Sequence, residues 1–170
     1  MKKILVLAGI IFLCSKAFAG VFEHPITPEK IYVPQYNSVS CKFTQTKTAG
    51  QTVIKSGGNF KFNSQNGVVF ETLYPVKTTT AYTTDSNKRL NDIVTAISKK
   101  DFSYLNKNFE LYYVKNGANW QLALKPKQGS KPYGVIKNII ISGSKYIDEI
   151  DINAASKTQI NFRECNEKHY

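Results

Sequence analysis

The segment FELYYVKNGANWQLALKP, Phe109–Pro126, decides the fold. Phe109, Leu111 and Tyr113 alternate with Glu110 and Tyr112. After Asn116-Gly117, Trp120, Leu122 and Leu124 alternate with Gln121 and Ala123. A period of two sends successive side chains to opposite faces of a strand, and Asn-Gly between two such runs signals a hairpin. The segment therefore reads as two antiparallel strands sharing one apolar face.

The pattern recurs on both sides of this hairpin. Upstream, strands are expected around Val39, Cys41 and Phe43, and from Thr52 through Gly57-Gly58 to Phe60 and Phe62. Asn66-Gly67 should turn that strand into Val68–Tyr74, which carries Phe70 and stops at Pro75. A threonine-rich run over Thr78–Thr84 centres on Tyr82. Downstream, Val135–Gly143 (with Ile139 and Ile141), Tyr146–Ile152 and Thr158–Arg163 (with Ile160 and Phe162) complete the set. The expected fold is mainly β, with nine or ten antiparallel strands.

The period changes once. Leu90, Ile93, Val94 and Ile97 fall at i, i+3, i+4 and i+7, which is one face of a helix. Asp85 or Asn87 suits its start and Lys99-Lys100 its end. Phe102 and Leu105 extend the apolar character into a second short turn. This insertion in mid-chain is too small to cover so many strands. A sheet with excess apolar face must dimerise, close on itself or hold a ligand.

The arm from Gly20 to Tyr36 contains Pro25, Pro28 and Pro34 and reads as mostly extended. Thr27-Pro28-Glu29 can start a single helical turn, with proline at its first position. Before the arm, Lys2-Lys3, the apolar run Ile4–Leu13 and Ala17-Phe18-Ala19 form the three parts of a secretory signal peptide. Cleavage after Ala19 would leave residues 20–170 as one exported domain in the periplasm. Cys14 lacks the small preceding residue of a lipidation site, because Leu13 stands there.

Removing Lys2, Lys3 and Lys16 from the 23 basic residues leaves 20 against 12 acidic, a net charge of +8. The lysines are scattered, which suits solubility, and they also suit anionic lipid or acidic partners. An exported chain whose only arginines are Arg89 and Arg163 argues against nucleic acid. Cys41 and Cys165 remain after cleavage and read as a disulfide in an oxidising space. Cys165 is out of phase with Ile160 and Phe162, so the last strand must end or bulge before it.

Nothing in the sequence assembles an enzyme. Nucleophilic catalysis needs a base beside the nucleophile. The two histidines, His24 and His169, lie in the arm and next to the C-terminus, and no metal-ligand spacing occurs. Asp148, Glu149 and Asp151 are the best carboxylate cluster. Alternation puts Glu149 and Asp151 on the wet face, opposite Ile150 and Ile152, whereas paired catalytic acids need a cleft. No enzymatic activity, cofactor or metal is expected.

The order of motifs resembles the LolA-like periplasmic carriers of outer-membrane lipoproteins. The resemblance runs from Phe43 to Phe162. Phe43-Thr44-Gln45, Gly58-Asn59-Phe60-Lys61-Phe62, Val69-Phe70-Glu71 up to Tyr74-Pro75, and Trp120-Gln121-Leu122-Ala123-Leu124-Lys125-Pro126 are similar to successive family strands. Ile139–Gly143 and Thr158–Phe162 resemble its last sheet motifs. The arm departs from the family's amphipathic N-terminal helix, and Lys55 and Lys61 stand nearest its latch arginine.

The resemblance implies a curved, incompletely closed antiparallel barrel whose concave face is lidded by the central helices. It implies a monomeric carrier that takes acyl chains of lipoproteins, or another lipid, from an inner-membrane ABC transporter to an outer-membrane acceptor. The cavity would be lined by Phe43, Phe60, Phe62, Phe70, Tyr82, Phe109, Leu111, Tyr113, Trp120, Leu122, Leu124, Ile139, Ile141, Ile160 and Phe162. The lid would carry Leu90, Ile93, Val94, Ile97, Phe102 and Leu105. The alternative is an envelope protein-binding or lipid-sensing module with a packed core. Cavity volume separates the two readings. The exported protein is expected to begin at Gly20 without a lipid. Intact mass checks this, and an acylated Cys14 at the mature terminus would overturn it.

Overall fold

The computed structural model describes residues 20–81, 88–99 and 101–167. The signal segment, Tyr82, Asp85, Asn87 and His169 lie outside the described residues. Among the described residues nine strands are formed: β1 (Ser38–Ala49), β2 (Thr52–Asn63), β3 (Gly67–Tyr74), β4 (Thr78–Ala81), β5 (Phe109–Asn116), β6 (Asn119–Pro126), β7 (Ile136–Gly143), β8 (Ile147–Ala154) and β9 (Lys157–Glu167). Two helices, α1 (Lys88–Lys99) and α2 (Phe102–Asn108), separate β4 from β5. No described helix is long and apolar enough to cross a membrane.

All nine strands form one antiparallel sheet in the order β4-β3-β2-β1-β9-β8-β7-β6-β5. Successive strands pair as hairpins, and the last strand returns to pair with the first. The edges are therefore β4 and β5, in the middle of the chain. The result is a curved, unclosed barrel. Its seam is spanned by the helical insertion, with α1 against β3 and α2 against β5. Asp101 starts α2 by accepting a hydrogen bond from the Tyr104 backbone N–H, which satisfies one of the unpaired donors of the first turn.

The turns follow local chemistry. Asn116 pairs with Asn119, so the hairpin loop is Gly117-Ala118, with Gly117 at φ +60. Asn66-Gly67 differs from the expected two-residue turn. Asn63 pairs with Gly67 across a three-residue loop, because the Asn63 side chain caps the Gln65 and Asn66 N–H groups. Gly67 takes the left-handed position at φ +79.

Gly57-Gly58 does not interrupt β2. A bulge sits there, with Gly57 opposite Tyr74 and Gly58 opposite Thr72. A Cβ on Gly58 would lie 2.0 Å from the Glu71 carbonyl oxygen, so this close approach admits only glycine. A second bulge resolves the phase of Cys165. The β1–β9 register shifts between Ser40 and Lys42, and Glu164 adopts φ +54. The extra residue turns Cys165 back to Cys41, and the two are disulfide-bonded over a sequence separation of 124.

The arm does more than the sequence suggested. It begins with a 3-10 turn at Val21–Glu23 that touches β5 and β6. There Phe22 meets Tyr112 edge-on, 5.4 Å between ring centroids. Ile26 then donates to the Leu111 carbonyl, and Tyr113 donates to the His24 carbonyl. These two bonds cap the free edge of β5, a site that otherwise invites pairing with another chain. The expected turn forms at Pro28–Lys30 with Thr27 before it. Beyond it, Ile31, Val33 and Tyr36 are buried in the main core. The arm thus folds around the β5 edge, from the outer face to the inner one.

Replacing both Cys41 and Cys165 by alanine should lower unfolding stability by about 2–5 kcal/mol, given so long a closed loop. Urea denaturation of the oxidised protein against the double variant measures it. Two free thiols in exported protein would refute the bond itself.

Candidate functional site

The inner face of the sheet is one continuous apolar surface with two textures. Across β3, β2, β1 and β9 it is aromatic. Phe60 lies 5.1 Å from Phe70 and 4.7 Å from Phe162, and Phe43 meets Phe70 edge-on at 4.8 Å. Such tilted and edge-to-face pairs add about 0.5–1.5 kcal/mol each beyond burial. Across β5 to β8 the face is mainly aliphatic, with Phe109, Tyr113 and Trp120 as the aromatic exceptions. One cross-strand row runs Tyr113, Leu122, Ile141, Ile150, Ile160, and the next runs Leu111, Leu124, Ile139, Ile152. Alternation produces this directly, since paired residues in neighbouring strands share a face.

Thirteen of the expected cavity residues are buried together on this face: Phe43, Phe60, Phe62, Phe70, Phe109, Leu111, Trp120, Leu122, Leu124, Ile139, Ile141, Ile160 and Phe162. Tyr113 is half-buried at the margin, and its hydroxyl donates to the Tyr32 carbonyl. Trp120 anchors its indole by donating to the Ser144 carbonyl at 2.9 Å. Of the expected lid, Ile93, Val94, Ile97, Phe102 and Leu105 pack into the same core. The helix containing Leu90 is formed, and that side chain is not among those described.

The arm residues Ile31, Val33 and Tyr36 belong to the same cover and were not legible as such. Tyr36 sits 5.8 Å from Phe62 and 6.0 Å from Tyr146. Prolines and the lack of any period hid them. A signal was present: Ile31 and Val33 sit two apart, as in the strands. Ile147 also joins the core, brought in by the irregular β7–β8 register at Gly143.

Among the described residues the covered face is closely buried. A void of about 10 Å³ remains between Tyr36, Val39, Phe60, Val94, Ile147 and Phe162. That is room for about one water molecule. A larger cleft of about 90 Å³ lies where α1 and α2 meet the sheet end, lined by Ile93, Tyr104, Asn108, Phe109, Lys131, Pro132 and Ile136. The cover is thin: two short helices and the arm, held mostly by side-chain packing.

The outer face is polar but less wet than alternation implied. Asp151 is half-buried, and its Oδ1, like Gln121 Oε1, has no hydrogen-bond partner among the described residues. Burial first, and then the Glu149 carboxyl beside it, push the Asp151 carboxyl up to about 6, against the pull of Lys157. Asp148 is also raised by burial, although Ser144 donates to it at 3.2 Å. These carboxyls line no cleft with the inner face. Among the described residues no three His, Cys, Asp or Glu gather as a metal site.

No family model matches the sequence, and no curated protein is similar to it. Among solved structures the chain is similar to a DUF1329 family protein from Desulfovibrio piger. The TM-score is 0.35 and the identity 8%, over 78% of this chain and 86% of that one. So distant a likeness says nothing about activity, and the residues of the inner face carry the functional argument.

The Asp151 environment makes a pH prediction. Its folded pKa lies above that of the unfolded carboxyl, so folding takes up a proton. Stability should fall as pH rises from about 4 to about 6. Above that window Asp151→Asn should stabilise the protein, by on the order of 1 kcal/mol after allowance for solvent contact. Below pH ~4 the variant should match the parent. Urea midpoints on both sides of the window test this, and equal midpoints at high pH would refute it.

Proposed function

We propose that this protein binds acyl chains of lipoproteins, or of another lipid, between its inner sheet face and its cover, and carries them across the periplasm. The observation that supports the reading most is the way the apolar face is closed. Nine strands present one continuous apolar face that needs a cover. The seam is closed by two short helices and an arm rather than by strand pairing. Moving them breaks side-chain packing and few backbone bonds, and leaves the sheet and the Cys41–Cys165 bond intact.

The energetics suit a carrier. Each buried methylene is worth ~0.8 kcal/mol, so a chain of about fourteen costs on the order of 11 kcal/mol to expose to water. In the filled state the inner face is covered by Ile93, Val94, Ile97, Phe102 and Leu105. A chain entering the site takes over contacts those side chains give up. Loading then replaces one apolar contact by another. Its net free energy is modest, which lets a tighter acceptor remove the cargo. The aromatic half offers broad, tolerant walls. The cleft of about 90 Å³ beside Phe109 and Ile93 is the natural start of such an opening.

A second reading is favoured by the void of about 10 Å³. On that reading the cover is a permanent part of a packed core, and the protein acts through its surface, as a protein-binding or lipid-sensing module.

The two readings part in a direct measurement. A fluorescent long-chain fatty acid should bind at one site per protein and raise amide exchange in α1 and the arm without exposing β6 and β9. Native mass spectra of periplasm-derived protein should show a co-purified lipid. No binding at tens of micromolar (about −6 kcal/mol or weaker), with α1 exchanging only as the whole sheet unfolds, would sink the carrier reading and leave the packed module.

A further inference from the structure

One end of the sheet carries exposed apolar side chains ringed by lysine. It is the end where β1 turns into β2, β3 into β4, β6 into β7 and β8 into β9. The β1–β2 hairpin projects there beyond its neighbour. β2 pairs with β3 only from Gly57 onward, because Leu73 falls in the bulge and β3 stops at Tyr74. The projecting tip bears Val53 and Ile54, 55% and 53% exposed. Beside it the β3–β4 connection exposes Leu73, Tyr74 and Val76, the last at 67%. The β6–β7 loop adds Tyr133 and Val135. β2 and β7 are four strand spacings apart, so the two prongs stand at most about 20 Å apart around the curve.

Cations outnumber acids at this end. Lys47, Lys55, Lys77, Lys131 and Lys137 are exposed. Among the described residues none of the five forms an ion pair with a carboxylate, whereas Lys42, Lys61 and Lys145, away from this end, each have one. Of the acids toward this end, Glu110 is matched by Lys125, Asp92 accepts from Tyr104 beside the cleft, and Asp151 lies near Lys157.

We propose that this end of the sheet docks on the surface of an anionic lipid bilayer. Exposed aliphatic and aromatic side chains gain by entering the headgroup–acyl boundary, and each nearby lysine is attracted to anionic lipid. Two separate prongs, with the β8–β9 turn between them, suit a plane of fluid molecules. They do not form the contiguous, shaped patch that a protein partner needs at the centre of its interface. The placement also deepens the carrier reading, though it does not depend on it. The cleft of about 90 Å³ includes Lys131 and Pro132, from the loop that bears the second prong. Docking by this end therefore sets the opening of the covered face against the membrane that supplies or receives the acyl chain.

The test is sedimentation of the mature protein, free of cargo, with vesicles of phosphatidylglycerol and phosphatidylcholine in equal parts, and with phosphatidylcholine alone. Binding should require phosphatidylglycerol and weaken several-fold as salt shortens the range of attraction. Lys55→Glu with Lys77→Glu should weaken it more than tenfold, at about fivefold for each lysine lost and more for reversal. Val53→Ser with Val76→Ser should weaken it several-fold at unchanged charge. All four sites are exposed, so unchanged melting temperatures are expected. Lys115→Glu with Lys145→Glu, at the opposite end, should have little effect. Failure to bind phosphatidylglycerol vesicles would overturn the proposal. So would equal losses from both charge-reversed ends, which is adsorption by net charge, or an unchanged affinity of the serine variant. A lipid-free dimer abolished by the serine variant would overturn it in favour of a second copy of this chain. Fatty-acid binding by the monomer, measured without vesicles, fails or succeeds independently of these outcomes.

Discussion

A sheet that is apolar on one face must hide that face from water, and in this protein everything else is arranged around that need. Thirteen of the large inner-face residues contribute to one cluster with the cover. At about 1.5–3 kcal/mol for each large side chain buried, this face dominates the favourable side of folding. Sheet closure through strand pairing would have solved the problem with backbone hydrogen bonds. Instead the seam between β4 and β5 is closed by helices and an arm, whose hold is mostly side-chain packing. The most apolar surface of the molecule is thus guarded by its least tightly bonded part. That is a sensible division for a protein that must uncover the surface, and an odd one for a purely structural module.

Much of this was legible in the sequence because the signal is a period. Phe109–Pro126 gave its hairpin, its inner and outer residues and nearly its turn, since alternation survives any curvature of the sheet. Ile93, Val94 and Ile97 declared a helix for the same reason. The phase of Cys165 announced a bulge, and Glu164 supplies it at φ +54. Features that depend on tertiary contact were hidden. Ile31, Val33 and Tyr36 have no period of their own, and their burial is decided by a sheet that forms later in the chain. Asp151 alternates as a wet residue should, yet its neighbours on the outer face shield it. The Asn66-Gly67 turn was misjudged by one residue because the Asn63 side chain competes for the loop's N–H groups.

The candidate site is legible to a different degree. Which residues face inward follows from pattern. Whether the space between them is filled does not, because filling depends on how deeply α1, α2 and the arm sit. The sequence suggested too little cover, having counted only the helices. The arm supplies further apolar residues, and among the described residues a void of about 10 Å³ lies beside Tyr36 and Phe60.

The position of the seam in the chain has a consequence of its own. In many sheets the edges are the first and last strands, so a barrel gapes where the chain ends. Here β1 and β9 are neighbours at the centre of the sheet, tied by Cys41–Cys165, and the gap falls in mid-sequence. Residues 82–108 can therefore gain or lose length without disturbing the register of any central strand pair, as insertions at connecting segments generally do. Such a layout lets evolution resize what the barrel encloses by editing a single stretch of the gene. The strands that give the fold its stability are insulated from that experiment.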